Sequence, residues 1–492
     1  GAPVLEAAKA VTGVTNGPDP IIGVTAHGWS VGQWVYLDAL PGLPRLHARF
    51  AEITAVTTNS ITIRKTDGSQ LDTTGQPAWV SGGTVSRVLT LATPYSDSDL
   101  ADIGYAQQEA TMTLTHPSYG ARELKYVAVA SWTLTPLSFA PTIAAPTGVA
   151  AVATIPQNNF PVAHSYMVTA LADDGVTESA ASSVVTASNN LSLAGNFNTI
   201  TWTAVAGALR YFVYKLQGGE FGFIGQANTP NFVDSNILPD SLKRAPQQFS
   251  ALNSGAGDLA SAVAYHEQRR WFGGTLNNPQ SIAATRPGAL SNMTASLPTQ
   301  EDDAFEFKLA SPTLDTIRHL VPLADLLVLT TSGEWRVYSD TGAVTPTSIT
   351  VKPQSFIGAA NVKPVAASNA VLFIRAKSAR LMEIKYAWEA NAFNTIDVAL
   401  LAPHLFNFHT FNDMTLGVDG AQVVWLARSD GKVLGMTYVP EQQVYAWHQH
   451  ETVGGFVESL CAIPEGEGVV VYALVRRTVN GRKVRYVERM RS

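Results

Sequence analysis

Two short runs of acidic side chains are the first candidates for chemistry in this sequence. These carboxylates are Asp97, Asp99, Asp102, Glu301, Asp302 and Asp303. Hydrolytic enzymes use carboxylates in pairs, as general acid and base, where the two converge on a cleft. Both runs lie in polar segments typical of loops, and neither has the Asp-x-Asp-x-Asp-Gly spacing of a calcium loop. We therefore predict that both runs are solvated turns.

A pair of histidines is the second candidate, because His448 and His450 stand two residues apart in a segment typical of a strand. Side chains at that spacing share one face of a strand, and two neighbouring imidazoles supply half of a zinc site. The sequence offers no identifiable third ligand, and the adjacent Trp447 favours a packed strand edge. No bound metal is therefore predicted.

The remaining motifs also favour structure over catalysis. The single cysteine, Cys461, excludes an internal disulfide and a cysteine-based zinc site, and its apolar segment is typical of a structural thiol. Gly218 and Gly219 fit a hairpin turn, and the sequence contains no dinucleotide fingerprint, Walker motif or nucleophile elbow. We predict no catalytic, cofactor-binding or metal-binding residue and no enzymatic activity.

Positive charge is concentrated near the end of a chain whose net charge is −6. The basic side chains of this stretch are Arg476, Arg477, Arg482, Lys483, Arg485, Arg489 and Arg491. Glu488 is the one acidic residue among them, so the rest of the chain carries the acidic excess. A cationic hairpin can contact DNA phosphates or an acidic partner protein. The simpler interpretation, which we favour, is a solvated edge hairpin whose charges block strand pairing. If the hairpin does bind a ligand, a protein is favoured over DNA.

The elements that must position these residues are almost all strands, so we predict an all-β fold. Short runs rich in Val, Ile, Thr, Tyr and Trp alternate with turn residues, and helix signals are confined to 4–11 and 98–107. A 46% hydrophobic and only 15% charged composition excludes a disordered tail, a coiled coil and a strongly basic nucleic-acid binder. The apolar run 469–475 is too short to span a membrane.

Composition and turn chemistry divide the first half of the chain. After a lead-in segment, 1–18, residues 19–91 predict a small β-barrel-like module with strands at 21–24, 34–37, 50–57, 60–64 and 84–88. Residues 146–246 predict a fibronectin type III-like or immunoglobulin-like sandwich, on the strength of a core Trp202 and the alternating strand around Tyr211 and Tyr214.

A loose repeat of a strand, a polar turn and a second strand ending in an aromatic residue fills the second half. Its copies lie at 325–338, 369–386, 422–438 and 468–486, with starts 44, 53 and 46 residues apart, and an earlier copy lies at 263–286. That period in an all-β chain is typical of β-propeller blades. Residues 112–126 match 372–386, because both end in Glu-aliphatic-Lys-Tyr. We therefore predict a blade at 92–145, the sandwich as an insertion, and further blades over 247–492, incomplete at the C-terminus.

An ordered set of motifs resembles one known family. The motifs are Thr93-Pro94-Tyr95, His116-Pro117, Ser131-Trp132-Thr133-Leu134, Arg269-Arg270-Trp271-Phe272-Gly273-Gly274, Asn278-Pro279-Gln280, 327–335 (LVLTTSGEW), Pro353-Gln354-Ser355, Leu401-Ala402-Pro403-His404-Leu405-Phe406, Arg428-Ser429-Asp430-Gly431 and Tyr445-Ala446-Trp447-His448. The chain resembles the tail nozzle proteins of short-tailed bacteriophages, also called tail tubular protein B, a group that includes packaged-DNA stabilisation factors. The 19–91 module is similar to the FCCH domain of ubiquitin-activating enzymes in fold alone.

The resemblance implies a structural virion protein, assembled in the host cytoplasm and resident in the phage tail. It implies a homohexameric ring whose channel retains the genome and conducts it during ejection, without sequence specificity for the passing double-stranded DNA. Its implied partners are its own copies, the tail adaptor and portal-proximal proteins, and tail fibres. Family members extend further at both ends, and the start at Gly1 rather than Met predicts a shorter variant or a piece of a longer chain.

Two other functions stay open on the sequence alone. A carbohydrate- or receptor-binding tail adhesin would use exposed aromatics, for which Trp29, Trp34 and Trp79 are candidates, although aromatics more often pack in cores or interfaces. A propeller glycosidase would need a carboxylate pair roughly 5–10 Å apart in the central channel.

Overall fold

The computed structural model describes residues 3–157, 160–248 and 255–490, and its regular structure is almost entirely β-strand. Helical segments in this described part are α1 (Pro403–Phe406) and two short 3₁₀ turns, Leu100–Asp102 and Pro440–Gln442. No helix there has the length and apolarity needed to cross a bilayer. The predicted all-β class is confirmed.

The N-terminal sheet has seven antiparallel strands. They are β1 (Lys9–Ala10), β2 (Gly13–Thr15), β3 (Ile21–Gly23), β4 (Trp34–Asp38), β5 (Arg49–Val56), β6 (Ser60–Lys65) and β7 (Thr84–Arg87). Their order is β1-β7-β4-β5-β6-β3-β2, a curled half-barrel. Alternate residues such as Val35 and Leu37 on β4 and Ile61 and Ile63 on β6 are fully buried, as a strand with one buried face requires. The five strands predicted for this module are confirmed to within one or two residues.

The two predicted helices are wrong. Within 4–11 the chain forms β1, which pairs with β7 through Lys9↔Val85 and Ala10↔Thr84. Within 98–107 it forms the 3₁₀ turn at Leu100–Asp102 and then a strand. Short amphipathic runs have weak intrinsic preferences, and pairing with a neighbouring strand overrides them.

Four four-stranded antiparallel sheets form the blades of a β-propeller. The first comprises β8 (Gly104–Gln108), β9 (Thr111–His116), β10 (Tyr119–Ala128) and β11 (Ser131–Pro136). The second comprises β20 (Ala262–His266), β21 (Arg269–Gly273), β22 (Ser281–Ala284) and β24 (Phe305–Lys308). The third comprises β25 (Ile317–Pro322), β26 (Leu326–Thr330), β27 (Glu334–Tyr338) and β28 (Thr350–Ser355). The fourth comprises β29 (Val365–Ala367), β30 (Ala370–Ile374), β31 (Leu381–Ala387) and β32 (Ala392–Asp397).

Apolar faces hold these sheets together in sequence order. On β26, Leu326 and Val328 pack with Trp271 of the second sheet, whereas Leu327 and Leu329 pack with residues of the fourth. Such strands are buried on both faces and therefore appear as continuous apolar runs in the sequence. The predicted repeat copies at 325–338 and 369–386 lie within the third and fourth sheets.

A β-sandwich is inserted between the first and second of these sheets. One of its layers contains β12 (Ala150–Thr154), β15 (Phe197–Thr201) and β18 (Asn231–Asp234). The other contains β13 (Val162–Ala172), β14 (Val185–Asn189), β16 (Ala208–Gln217), β17 (Glu220–Ala227), β19 (Asp240–Gln248) and β23 (Thr294–Leu297). Trp202 and Tyr211 are buried in its core, as predicted. Because β23 lies beyond residue 246, one edge strand comes from outside the predicted insertion, and the domain limits stay a prediction.

The last sheet contains two meanders. The first has β33 (Phe411–Asp419), β34 (Ala421–Arg428), β35 (Val433–Val439) and β36 (Val444–His450). The second has β37 (Gly455–Glu465), β38 (Gly468–Val479) and β39 (Arg482–Arg489) and joins β33 through Val418↔Val469.

The chain divides into two compact units. One comprises residues 1–94, 124–134 and 398–492, and the other comprises residues 95–123 and 135–397.

Candidate functional site

The basic hairpin predicted from the sequence exists and consists of β38 and β39. Asn480 and Gly481 join the strands, with φ values of 50° and 76°. Two consecutive residues with positive φ form the two-residue turn whose twist matches that of a hairpin, and Asn-Gly is its favoured sequence. The strands pair from Tyr472↔Arg489 to Val479↔Arg482. Six of the seven predicted basic residues lie on this hairpin, and Arg491 lies outside the described residues.

Glu458 on β37 neutralises the two arginines that face each other across the hairpin. Arg476 lies directly opposite Arg485, an arrangement that is destabilising for two like charges. One oxygen of Glu458 is 2.9 Å from Nε of Arg476, and the other is 2.7 Å from Nε of Arg485. The carboxylate therefore bridges two cations that would otherwise repel each other.

Two further arginines of the hairpin have carboxylate partners of their own. Arg477 donates from Nε and Nη2 to the two oxygens of Glu488, at 2.6 and 2.7 Å, and this pairing lowers the pKa of Glu488. Arg489 donates from Nε to Glu465 at the end of β37, at 2.9 Å. Bidentate, charge-assisted contacts of this kind hold a guanidinium in one orientation.

The tip of the hairpin contacts the turn that follows β6 in the N-terminal sheet. Asn480 donates to Oδ2 of Asp67 at 3.3 Å. The Arg482 guanidinium fills the space beside Gly68, where an added Cβ would overlap it. Hydrogen bonds from Ser69 lower the pKa of Asp67, and the positive charges of Lys65 and Arg482 add to the effect. The salt bridges of the hairpin involve the other four basic residues and neither Arg482 nor Lys483 in the described part of the chain.

The hairpin is therefore a set of internally compensated charges. Together, β37 to β39 with their turns, residues 455–489, carry six basic and four acidic side chains. A phosphate-binding surface needs cations whose donors point outward and lack carboxylate partners. Two of the six cations, Arg482 and Lys483, form no salt bridge in the described part of the chain, and the Arg482 guanidinium lies against Gly68. The pairing of the other four agrees with the favoured interpretation of a charged edge hairpin. Contact with DNA or with a partner stays a prediction.

The acidic run at 301–303 forms a turn, as predicted, but it is solvated only in part, since Glu301 is exposed and Asp303 is buried. Asp303 is fully buried and accepts a hydrogen bond from Nη2 of Arg286, whose Nη1 is 2.8 Å from Asp302. Arg269 donates to the backbone carbonyl oxygens of Asp303 and Glu301, at 2.6 and 2.8 Å. Two buried guanidiniums need anionic and carbonyl acceptors, and this loop supplies them. The run at 97–102 is a turn whose Asp97 and Asp102 are exposed, as predicted.

His448 and His450 share one face of β36, as predicted, and Nδ1 of His448 lies 2.6 Å from Nε2 of His450. Trp447 packs edge-on against Phe406, and its indole N–H donates to the Val398 carbonyl at 3.0 Å. Among the described residues, no group of three or more histidine, cysteine or carboxylate side chains is placed to hold a metal ion.

Cys461 differs from its predicted environment, and the three candidate tryptophans divide between packed and exposed positions. Cys461 is exposed on β37 and is not packed in a core, because the apolar run that contains it lies on a strand with one solvent-facing side. Trp29 is buried in the core of the N-terminal sheet, and Trp79 is partly buried, with its N–H bonded to Gly82. Trp34, 38% exposed, is the one of the three predicted sugar-stacking tryptophans with a substantially open ring.

The carboxylates that sequence reasoning missed include Glu334, which is fully buried, and Glu178, which is partly buried. Glu334, fully buried on β27, accepts hydrogen bonds from the Gly358 and Ile357 backbone N–H groups at 2.8 and 3.3 Å and from the Ser355 hydroxyl. Glu178, in the sandwich, accepts from the Tyr214 hydroxyl at 2.6 Å. Burial raises the pKa of both carboxyl groups. No sequence signal identified them, because each depends on partners that tertiary folding brings close.

A groove on the sandwich offers no catalytic group. It is lined by residues 191–197, 233, 235 and 236, among which there is no titratable side chain. Glu334 is closed off by the backbone that it binds, so it has the geometry of a structural tie between β27 and the segment after β28.

Comparison with known proteins identifies no family for this chain. No family model matches the chain, and no curated protein matches it. Among solved structures, the chain is similar to the periplasmic gluconolactonase PpgL of Pseudomonas aeruginosa, at 10% identity and a TM-score of 0.29, over 67% of this chain and 96% of that one. A likeness of that strength says nothing about activity.

Proposed function

We propose that this chain is a structural protein of a bacteriophage tail, a nozzle subunit that assembles into a ring around a channel for the genome. The ordered motifs from Thr93 to His448 support the family, and the propeller with an inserted sandwich is the architecture that the family implies. In the proposed ring, six copies contact one another, the adaptor and portal-proximal proteins lie on one side, and tail fibres attach outside. Double-stranded DNA passes without sequence-specific contacts.

The observation that carries the assembly part of this proposal is an exposed apolar loop, residues 400–408. Leu401 and Phe408 are 93% and 104% exposed, and Leu400 is 65% exposed. Between them, α1 anchors the loop, because Phe406 is buried and Arg428 donates to the Leu405 carbonyl at 3.0 Å.

A loop held in place while it presents large apolar side chains to water is typical of a protein interface. Covering a leucine or phenylalanine side chain stabilises an assembly by about 1.5–3 kcal/mol. In a ring, each copy presents this loop to a different surface of its neighbour, which is the geometry that closes a cyclic assembly.

Light scattering and negative-stain imaging test the proposal. We expect the wild-type chain to form rings and the double variant Leu401→Ser/Phe408→Ser to dissociate them. Leu314→Ser is a matched control, because Leu314 is 87% exposed but lies outside the 400–408 loop. A wild-type chain that stays monomeric at high concentration would contradict the ring. Rings that withstand the double substitution would show that the loop is not an interface.

A propeller glycosidase requires two carboxylates roughly 5–10 Å apart on a cleft that a sugar can enter. Three carboxylates of the described residues are fully buried, Asp234, Asp303 and Glu334, and they are engaged by Lys215, by Arg286 and by backbone N–H groups respectively. No observation on the described residues favours this alternative over the structural one.

A further inference from the structure

The two histidines of β36 contact each other at the surface. His448 Nδ1 and His450 Nε2 are 2.6 Å apart, and their rings meet nearly at right angles, with centroids 4.8 Å apart. His450 is exposed and His448 is partly exposed. A small ion from solvent can therefore reach both imidazoles.

The neighbouring strands fix the position of the His448 ring. Trp425 on β34 pairs with Gly435 on β35, and Gly435 pairs with His448 on β36. Because Gly435 has no side chain, the imidazole lies over its backbone and reaches Trp425, whose ring centroid is 5.4 Å from that of His448 and 5.2 Å from that of His450. A Cβ at Gly435 would overlap the His448 ring.

We propose that His448 and His450 chelate a divalent transition-metal ion of the class that prefers imidazole, such as Zn²⁺, Ni²⁺ or Cu²⁺. Metal–nitrogen bonds of about 2.0–2.1 Å place two nitrogens on one ion roughly 2.9–3.4 Å apart, so binding breaks the hydrogen bond between the rings, separates them by about 0.3–0.8 Å and turns both lone pairs onto the ion. Water completes the coordination shell, so no third protein ligand is required.

The choice of ion follows from the donor set. Imidazole suits zinc, nickel and copper, whereas magnesium and calcium prefer oxygen ligands. The carboxylate of Glu451, the residue that follows His450, already forms a salt bridge with Lys432 at 3.1 Å. The site is therefore selective for ions of borderline softness and does not respond to Mg²⁺.

Trp425 makes the binding measurable. Ni²⁺ and Cu²⁺ quench tryptophan fluorescence at short range, and one of the ten tryptophans lies against both imidazoles. The experiment titrates the full chain, without a polyhistidine tag, with Ni²⁺ by fluorescence and with Zn²⁺ by calorimetry, and uses Mg²⁺ as a control. We expect saturable quenching by Ni²⁺, one Zn²⁺ per chain, and no response to Mg²⁺.

Four variants separate this site from adventitious binding. His448→Gln and His450→Gln are each expected to abolish saturable binding, and Gly435→Ala to weaken it by displacing the ring without removing a ligand. His404→Gln is the matched control, because His404 is an exposed histidine on α1 and lies outside β36, and it should leave binding unchanged. Trp425→Phe should keep the calorimetric signal while most of the quenching disappears.

Two results would overturn the proposal. A wild-type chain without saturable Ni²⁺ quenching or Zn²⁺ heat refutes it. So does binding that survives in both His448→Gln and His450→Gln. Since His450 is exposed, its substitution leaves the core of β33–β36 intact and tests the site even if the His448 variant fails to fold.

Discussion

The bridge from Glu458 to two arginines predicts that the basic hairpin binds DNA weakly until that carboxylate is removed. Glu458→Gln leaves Arg476 and Arg485 without the anion that holds them at 2.9 and 2.7 Å. Each cation that engages a phosphate steepens the dependence of log affinity on log salt by about 0.9. Two released arginines therefore steepen the slope by roughly 2, which amounts to roughly a tenfold effect between 50 and 200 mM salt.

Fluorescence anisotropy with a labelled duplex of arbitrary sequence, measured over that salt range, gives both affinity and slope. Glu467→Gln is the matched control, because it removes the same charge from an exposed turn residue that forms no ion pair within the described part of the chain. We expect the control to resemble the wild-type chain and Glu458→Gln to bind more tightly at low salt. Equal gains in the two variants would show that only net charge matters. If log affinity of the wild-type chain already falls with log salt as steeply as six phosphate contacts require, the arginines are not paired with carboxylates in solution, and the reasoning is refuted.

Two further predictions concern stability. Gly68→Ala places a Cβ against the Arg482 guanidinium, at a residue whose φ is 77°. We expect the free energy of unfolding, measured with urea, to fall by about 1–2 kcal/mol. The double variant Gly68→Ala/Arg482→Ala should recover the part of this loss that is due to the steric overlap. Burial lowers the pKa of His319 to about 4 from 6.5, with smaller contributions from the charges of Arg318 and Lys363. The unfolded chain then binds more protons between these values, and stability falls as the pH drops from 6.5 to 4. In His319→Gln the amide can still donate to the Ala360 carbonyl, so the hydrogen bond is kept. We expect this variant to lose at most about 3 kcal/mol less stability than the wild-type chain between pH 6.5 and 4. Identical plots of unfolding free energy against pH for the two chains would contradict the assignment of this pH dependence to His319.

The strands were predictable from the sequence wherever one face is buried. Alternation within 50–57 and 60–64, and the Asn480-Gly481 turn, are local patterns that the structure reproduces. Local patterns fail where a partner decides the outcome. Residues 4–11 can form either a short helix or an edge strand, and their pairing with β7 selects the strand. Asp303 is polar and stands in a polar loop, yet it is buried because Arg286 lies beside it.

The candidate hairpin shows the same division between local and tertiary information. The sequence predicts a cluster of positive side chains, and that cluster exists. The compensating Glu458 and Glu465 belong to β37, the preceding strand, and only the register of β37 with β38 places them beside the arginines. A charge count over 476–491 excludes that strand and therefore overestimates the field that DNA would encounter. The same limit applies to His448, because its contact with Trp425 depends on Gly435, a residue on another strand.

Compensated charges on an edge strand resolve a conflict that the proposed conduit faces. A sheet edge needs charged side chains to prevent pairing with other chains, and β39 is such an edge in the described part of the sheet. Unpaired arginines would serve that purpose but would also bind a passing genome, and the summed phosphate contacts would slow its exit. Arginines paired with carboxylates on a face of the sheet still cost an incoming strand their desolvation, while their field on a phosphate at longer range is largely cancelled. The hairpin can therefore protect the edge without retaining DNA, provided that Glu458 stays in place.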